Sequence, residues 1–118
     1  MLQAFFHYGL HFLVPAVLAR TMDRGRWKHI YLIFLSTMLI DLDHLLAVPV
    51  FDPHRCSVGF HPLHSEIAVL CYVVGLRLFW RKWWARALMI GLLFHVVTDS
   101  LDCLWMWLDQ SDTCQSIG

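Results

Sequence analysis

The sequence predicts an all-α protein: a four-transmembrane-helix bundle with short loops, a single integral membrane domain over residues 1–118, with both termini on the extracytoplasmic side. Three observations carry this. The chain is 58% hydrophobic and 15% charged, with mean hydropathy +0.57, whereas a soluble domain carries about 25% charged residues. Its apolar residues gather in four runs, and its cations gather between them. A soluble four-helix bundle would lack the polar residues to coat its outer surface.

The four runs cover about residues 2–19, 30–50, 63–80 and 85–108. Each is long enough to cross roughly 30 Å of hydrocarbon as a helix. Helix is favoured because backbone groups in lipid must be satisfied within the segment. Pro15 lies inside the first run and is placed to kink it. Pro49 and Pro53 end the second, and Pro62 suits the first turn of the third. The N-terminus lacks the basic start and cleavage pattern of a signal peptide.

Eight of the nine Lys and Arg fall in two windows: Arg20, Arg24, Arg26 and Lys28, then Arg77, Arg81, Lys82 and Arg86. Eight of the nine acids lie outside them, Asp23 being the exception. With alternating spans both basic connections fall on one side, which the positive-inside rule makes cytoplasmic. Trp27, Trp80, Trp83 and Trp84 flank them as an interfacial belt. The run WRKWW at 80–84 could be read as an anionic-lipid or nucleic-acid patch, but a snorkelling anchor explains it more cheaply, and nucleic acid is not expected as a partner. A bacterial inner membrane is the expected location. Membrane lipids are the expected partners, and a homo-oligomer is left open.

Alternating direction brings the intramembrane polar residues to one level, in the outer half. His7 and His11 are one turn apart in the first run. Asp41, Asp43 and His44 interrupt the second, in IDLDH. His61 and His64 open the third, with Glu66 beyond. His95 and Asp99 are one turn apart in the fourth, with Asp102 one turn later. Ionisable residues in a membrane helix are costly and usually face a functional interior. Neutral imidazoles and carboxylates at these spacings suit zinc, in one or two ions, or another divalent metal. The expected ligands are His11, Asp41, His44, His61, His64, His95 and Asp99. His7 is either interfacial or a ligand, and His61 either a ligand or a loop-closing group. Asp41 and Asp43 diverge by about 200° on a helix, so they cannot face one point together. Asp43 and Asp102 are the candidates to orient a water. His29 is expected at the opposite interface, and Asp52 and His54 in solvent.

The elements IDLDH, FHPLHS and HVVTD resemble, in order, those of the YdjM-type membrane-bound metal-dependent hydrolases, over about residues 7–102. HFLVPAVLA, the stretch at 41–64 and the DC at 102–103 resemble a small bacterial family of uncharacterised membrane proteins. More distantly the order is similar to that of the zinc-dependent phospholipase C and single-strand nuclease superfamily. The resemblance implies a metal-dependent hydrolase of phosphate esters. His11 would be its N-terminal helical ligand, Asp41 or Asp43 the early carboxylate, and His64 or His61 the middle histidine. His95 and Asp99 would be the paired ligands, with Asp99 bridging two metals. This chain is shorter and has no second His/Asp pair after the fourth run, so one or two metals are expected, not three. The depth of the site points to a lipid phosphate or another amphiphile as substrate. The alternatives are a non-catalytic metal-binding protein and a metal or proton transporter. Transport is disfavoured because only Ser36, Thr37, Tyr72 and Arg77 offer polar groups toward the cytoplasmic half.

Of the four cysteines, Cys56, Cys103 and Cys114 fall on the extracytoplasmic side, where disulfides persist. Cys56 with Cys103 would strap the site; Cys103–Cys114, Cys56–Cys114 and zinc ligation by Cys103 remain open. Cys71 is expected as a small packing residue.

Overall fold

The computed structural model describes residues 2–46, 56 and 62–117, with the side chains of 3–4, 43–46 and 112–117 not among them. The described residues are all helical apart from turns. Helix α1 spans Leu2–Met22, α2 Trp27–Ser36, α3 Glu66–Leu78 and α4 Trp83–Ile117. Two 3-10 segments complete the set: Thr37–Leu46 continues directly from α2, and Pro62–His64 precedes α3. At 35 residues, α4 is about 52 Å long and accounts for most of the molecule's 55 Å length.

Turn chemistry explains where the boundaries differ from the apolar runs. Asp23, the lone acid among the first basic window, forms the α1–α2 turn. Its Oδ1 accepts from Gly25 N at 2.8 Å and from Arg26 N at 3.2 Å. Thus α1 runs on to Met22 and α2 begins at Trp27, before the expected residue 30. Ser65 caps α3 by accepting from Ala68 N at 3.2 Å, so α3 starts after the Pro62 turn and not at 63. α4 continues past 108 because no Gly or Pro occurs there until Gly118. α1 continues through Pro15. The end of the second run, 47–50, lies outside the described residues.

The interior holds an unusual share of polar side chains, and much of the exterior is apolar. The largest fully buried side chains are His64, His95 and Thr98, and His11 and Asp99 are also buried. The buried apolar residues are more numerous, but among the described residues none is as large as the fully buried imidazoles and still fully enclosed. Ala19, Ile30, Phe34 and Ala87 pack at the basic end, and Ile40, Leu92 and Val96 pack nearer the acids. Meanwhile Phe5, Leu13, Ile67 and Leu78 are each more than 70% exposed. Large apolar surfaces of this extent are rare on soluble monomers. Among the described residues one helical stretch, Trp83–Ser111, is long and apolar enough to cross a membrane. Four such helices were expected. α3, at 13 residues, reaches only about 20 Å.

Gly91 sets the spacing of α2 and α4. A Cβ there would lie 2.8 Å from Thr37 Cγ2 and 2.9 Å from the Phe34 ring. Gly91→Ala is therefore expected to destabilise the fold by roughly 1–3 kcal/mol, as overpacking does. Gly9→Ala in α1, whose Cβ would meet nothing within 4 Å, is expected to be neutral or stabilising. Thermal unfolding of the two purified variants checks the contrast; equal midpoints would contradict the close α2–α4 approach.

Candidate metal centre

Four segments deliver the polar side chains. His7 and His11 come from α1, Asp41 from the 3-10 segment after α2, His64 from the turn before α3, and His95, Asp99 and Asp102 from α4. The turn carrying His64 is held at both sides. Ser65 Oγ donates to Pro62 O at 2.7 Å, and Tyr72 Oη donates to Leu63 O at 3.0 Å. The 3-10 winding keeps three residues per turn and carries Asp41 to within 3.0 Å of His95 on α4.

Asp41, His64, His95 and Asp99 form one donor group. His95 Nε2 lies 3.0 Å from Asp41 Oδ1 and 3.3 Å from Asp99 Oδ2. His64 Nε2 lies 2.9 Å from Asp99 Oδ2 and 3.5 Å from Asp41 Oδ1. All four donor atoms fall within 4.8 Å of one another. A tetrahedral zinc with bonds of about 2.0–2.2 Å has ligand–ligand edges of roughly 3.3 Å. The four measured separations bracket that value, so these edges are of the size a tetrahedral divalent ion requires.

A second group, His7, His11 and Asp99, adjoins the first. His11 Nε2 is 3.5 Å and His7 Nε2 3.9 Å from Asp99 Oδ1. Asp99 thus gives one oxygen to each group. The His7–His11 and His11–His95 ring centroids are both 4.5 Å apart, which makes one continuous layer.

Alignment separates a metal site from a network of mutual hydrogen bonds. His95 Nε2 and Asp41 Oδ1 do make a hydrogen bond. Among the described residues, however, Asp99 Oδ2 and His11 Nε2 are buried without a hydrogen-bond partner, although both have polar neighbours close by. Leaving such buried groups unmet costs about 1–3 kcal/mol each. A cation between them would remove that cost.

The structure gathers His11, Asp41, His64, His95 and Asp99 as expected, and adds His7 as a full member of the second group. Asp102 stands at the edge, its Oδ1 3.9 Å from His7 Nδ1. The side chains of Asp43 and His44, and all of His61, lie outside the described residues, as do Asp52 and His54. Glu66 is exposed in the first turn of α3, and His29 is exposed at the basic end. Thr98 is buried beside Asp99 and went unnoticed in the sequence; its hydroxyl merely donates to Phe94 O. Cys56 and Cys103 form a disulfide with Cα atoms 5.2 Å apart. It ties the chain eight residues before His64 to α4 four residues past Asp99, and removes the Cys103 sulfur from the candidate ligands. Cys71 is exposed and free, not packed as expected, because it lies on the outer face of α3.

Over residues 1–106 the chain matches a family described as a family of unknown function (DUF6122). No curated protein and no solved structure matches it.

Element analysis of purified variants tests the two groups. His64→Ala and His95→Ala are expected to lose about one bound zinc, and His11→Ala the other. Asp99→Ala is expected to lose both, with helical content retained by circular dichroism.

Proposed function

Because the chain belongs to the DUF6122 family of unknown function, its activity must be read from the site, and we propose that it is a membrane-embedded, zinc-dependent hydrolase of a phosphate ester of a lipid or another amphiphile. The observation that carries this is the carboxylate of Asp99, buried and shared between two donor groups. A buried carboxylate between imidazoles costs several kcal/mol unless compensated, and paired divalent ions with a bridging carboxylate are a recurring arrangement for phosphoryl chemistry.

The membrane part of the reading rests on the exposed apolar side chains and on α4. Trp83 and Trp84 near its start and Trp105 and Trp107 further on are exposed or half-buried. They are separated by about 33 Å along the helix, the spacing of two aromatic belts around a bilayer core. In this reading all four helices lie in the bilayer, with the short α3 completed by its preceding turn. The basic turns face the cytoplasm and the donors face outward. The disulfide supports this orientation, since it sits at the donor end and disulfides belong to oxidising compartments. The YdjM-type resemblance of the motifs points to the same class of activity.

Bound zinc would supply Lewis acidity and lower the pKa of its water from 15.7 to about 7. The chain's own residues do the rest. Asp41, His64, His95 and Asp99 would hold one ion, and His7, His11 and Asp99 the other. Asp102, partly exposed beside His7, is placed to accept a proton from a water entering there; Asp43 is the alternative. A groove of about 410 Å³ between α1 and α4 opens at His7 and Asp102. Its walls include Phe6, Leu10, Leu101 and Trp105, which suit an apolar group attached to the phosphate.

One observation favours a purely structural metal instead: His64 and His95 are 0% and 1% exposed. Against it, the Asp41 side chain is 41% exposed, which leaves the first group a side open to water. Turnover decides. Zinc-loaded protein is expected to hydrolyse amphiphilic phosphate esters and to stop on chelation. Asp102→Asn is expected to lower kcat roughly 10²–10⁴-fold, the usual worth of a general base, with zinc content unchanged. A protein that binds its zinc yet hydrolyses no phosphate ester would sink the hydrolase and leave the staple.

A further inference from the structure

The end of the molecule opposite the donors holds a second cluster that the proposed chemistry does not use. We infer that the two basic turns, α1–α2 and α3–α4, together form a seat for the phosphate of an anionic membrane lipid. The inference rests on the membrane part of the reading above, not on the hydrolase part.

The two turns form one surface. Arg26, from the first turn, lies with its guanidinium 5.3 Å from the ring centroid of Trp83, at the start of α4. Beneath this contact Ala19, Ile30, Phe34 and Ala87 pack as a buried cluster, with Trp27 and Trp83 against it. The cations of both sequence windows are therefore held at one end. Among the described residues the only acid there is Asp23, and its oxygens are engaged by Gly25 and Arg26. Arg20 and Arg86 have no carboxylate partner among the described residues.

Arg20 and Arg86 are also oriented. The Arg20 guanidinium lies 5.2 Å from the Trp27 ring centroid, and that of Arg86 lies 5.3 Å from Trp80. A guanidinium resting on an indole face keeps the N–H edge of its planar fork available, which matches a phosphate in bidentate fashion. Less rotamer freedom is then left to lose on binding.

The surroundings select a lipid over free phosphate. Leu78, Phe79, Trp80 and Trp84 flank the cations and are 45–72% exposed. Apolar surface beside a phosphate seat fits a molecule that brings acyl chains with its charge. Juxtamembrane basic clusters between helices recognise anionic headgroups on this principle.

The test uses the full chain in detergent, titrated with phosphatidylglycerol, phosphatidylcholine or inorganic phosphate. Thermal midpoint and retained lipid by native mass spectrometry are the readouts. Phosphatidylglycerol is expected to raise the midpoint and remain bound at least tenfold more tightly than phosphatidylcholine, and the preference should weaken with salt. Arg20→Gln with Arg86→Gln should abolish it; Arg20→Lys with Arg86→Lys, which keeps the charge and loses the fork, should keep part of it. Equal retention of the two lipids, a preference that survives the Gln pair, or the same shift with inorganic phosphate would overturn the seat. Failure to enter zwitterionic bilayers at all would instead overturn the membrane reading beneath it.

Discussion

The carboxylate of Asp99 is the constraint around which the molecule is arranged. It lies buried on α4, within 3.5 Å of His11 on α1 and 2.9 Å of His64 before α3, and one turn from His95. Asp41 after α2 reaches the same ring of atoms through His64 and His95. Every principal helix therefore contributes to, or abuts, one polar layer. In a chain this apolar the layer is the least favourable thing to bury and also the place where the segments are most closely fixed. The two facts are compatible only if the charges compensate one another or a cation compensates them. Asp99 Oδ2 and His11 Nε2 have no hydrogen-bond partner among the described residues, which is compatible with the cation that the proposed function calls for.

The supports of the layer are local and conventional. Asp23 closes the α1–α2 turn, Ser65 caps α3, and Tyr72 pins the turn bearing His64. The disulfide joins the chain before His64 to α4 just beyond Asp99. None of these groups is a donor, yet each fixes the entry of a donor into the layer. The apolar packing lies below, where Gly91 lets Phe34 and Thr37 approach α4. Packing sets the helix spacing, turn chemistry sets the register, and together they bring the donor atoms to roughly 3 Å separations.

How much of this was legible in the sequence depended on which physics governed each residue. The convergence of His11, Asp41, His64, His95 and Asp99 followed from alternating helix direction alone, because topology fixes level. Helix ends did not follow from apolar runs. Asp23 and Ser65 act through single hydrogen bonds that hydropathy ignores, and α4 outlasts its apolar run because nothing breaks it. The 3-10 winding of 37–46 was invisible, since i and i+3 share a face in either helix. His7 stayed ambiguous because its level suited an interface and a ligand equally; only the rotation of α1 against α4 separates the two. The Cys56–Cys103 pairing was one of three arrangements that side and depth allow, and distance alone selects it.

The charge distribution turns these parts into an oriented object. The sequence is neutral overall, but among the described residues the donor layer of His7, His11, Asp41, His64, His95, Asp99 and Asp102 lies at one end, and the two basic windows, with Asp23 and His29, lie at the other. Among the described residues the basic turns hold no carboxylate beyond Asp23. An isolated globule would fold so as to bring the two together, since opposite charges on one chain attract. The apolar exterior prevents it. Helices that expose Leu13, Leu32, Ile67 and Leu78 outward must keep both ends apart across whatever solvates those side chains. In the proposed reading each end is neutralised from outside, by a metal at one and by an anionic lipid at the other, because an apolar wall, more than any single contact, holds the two groups of charges apart.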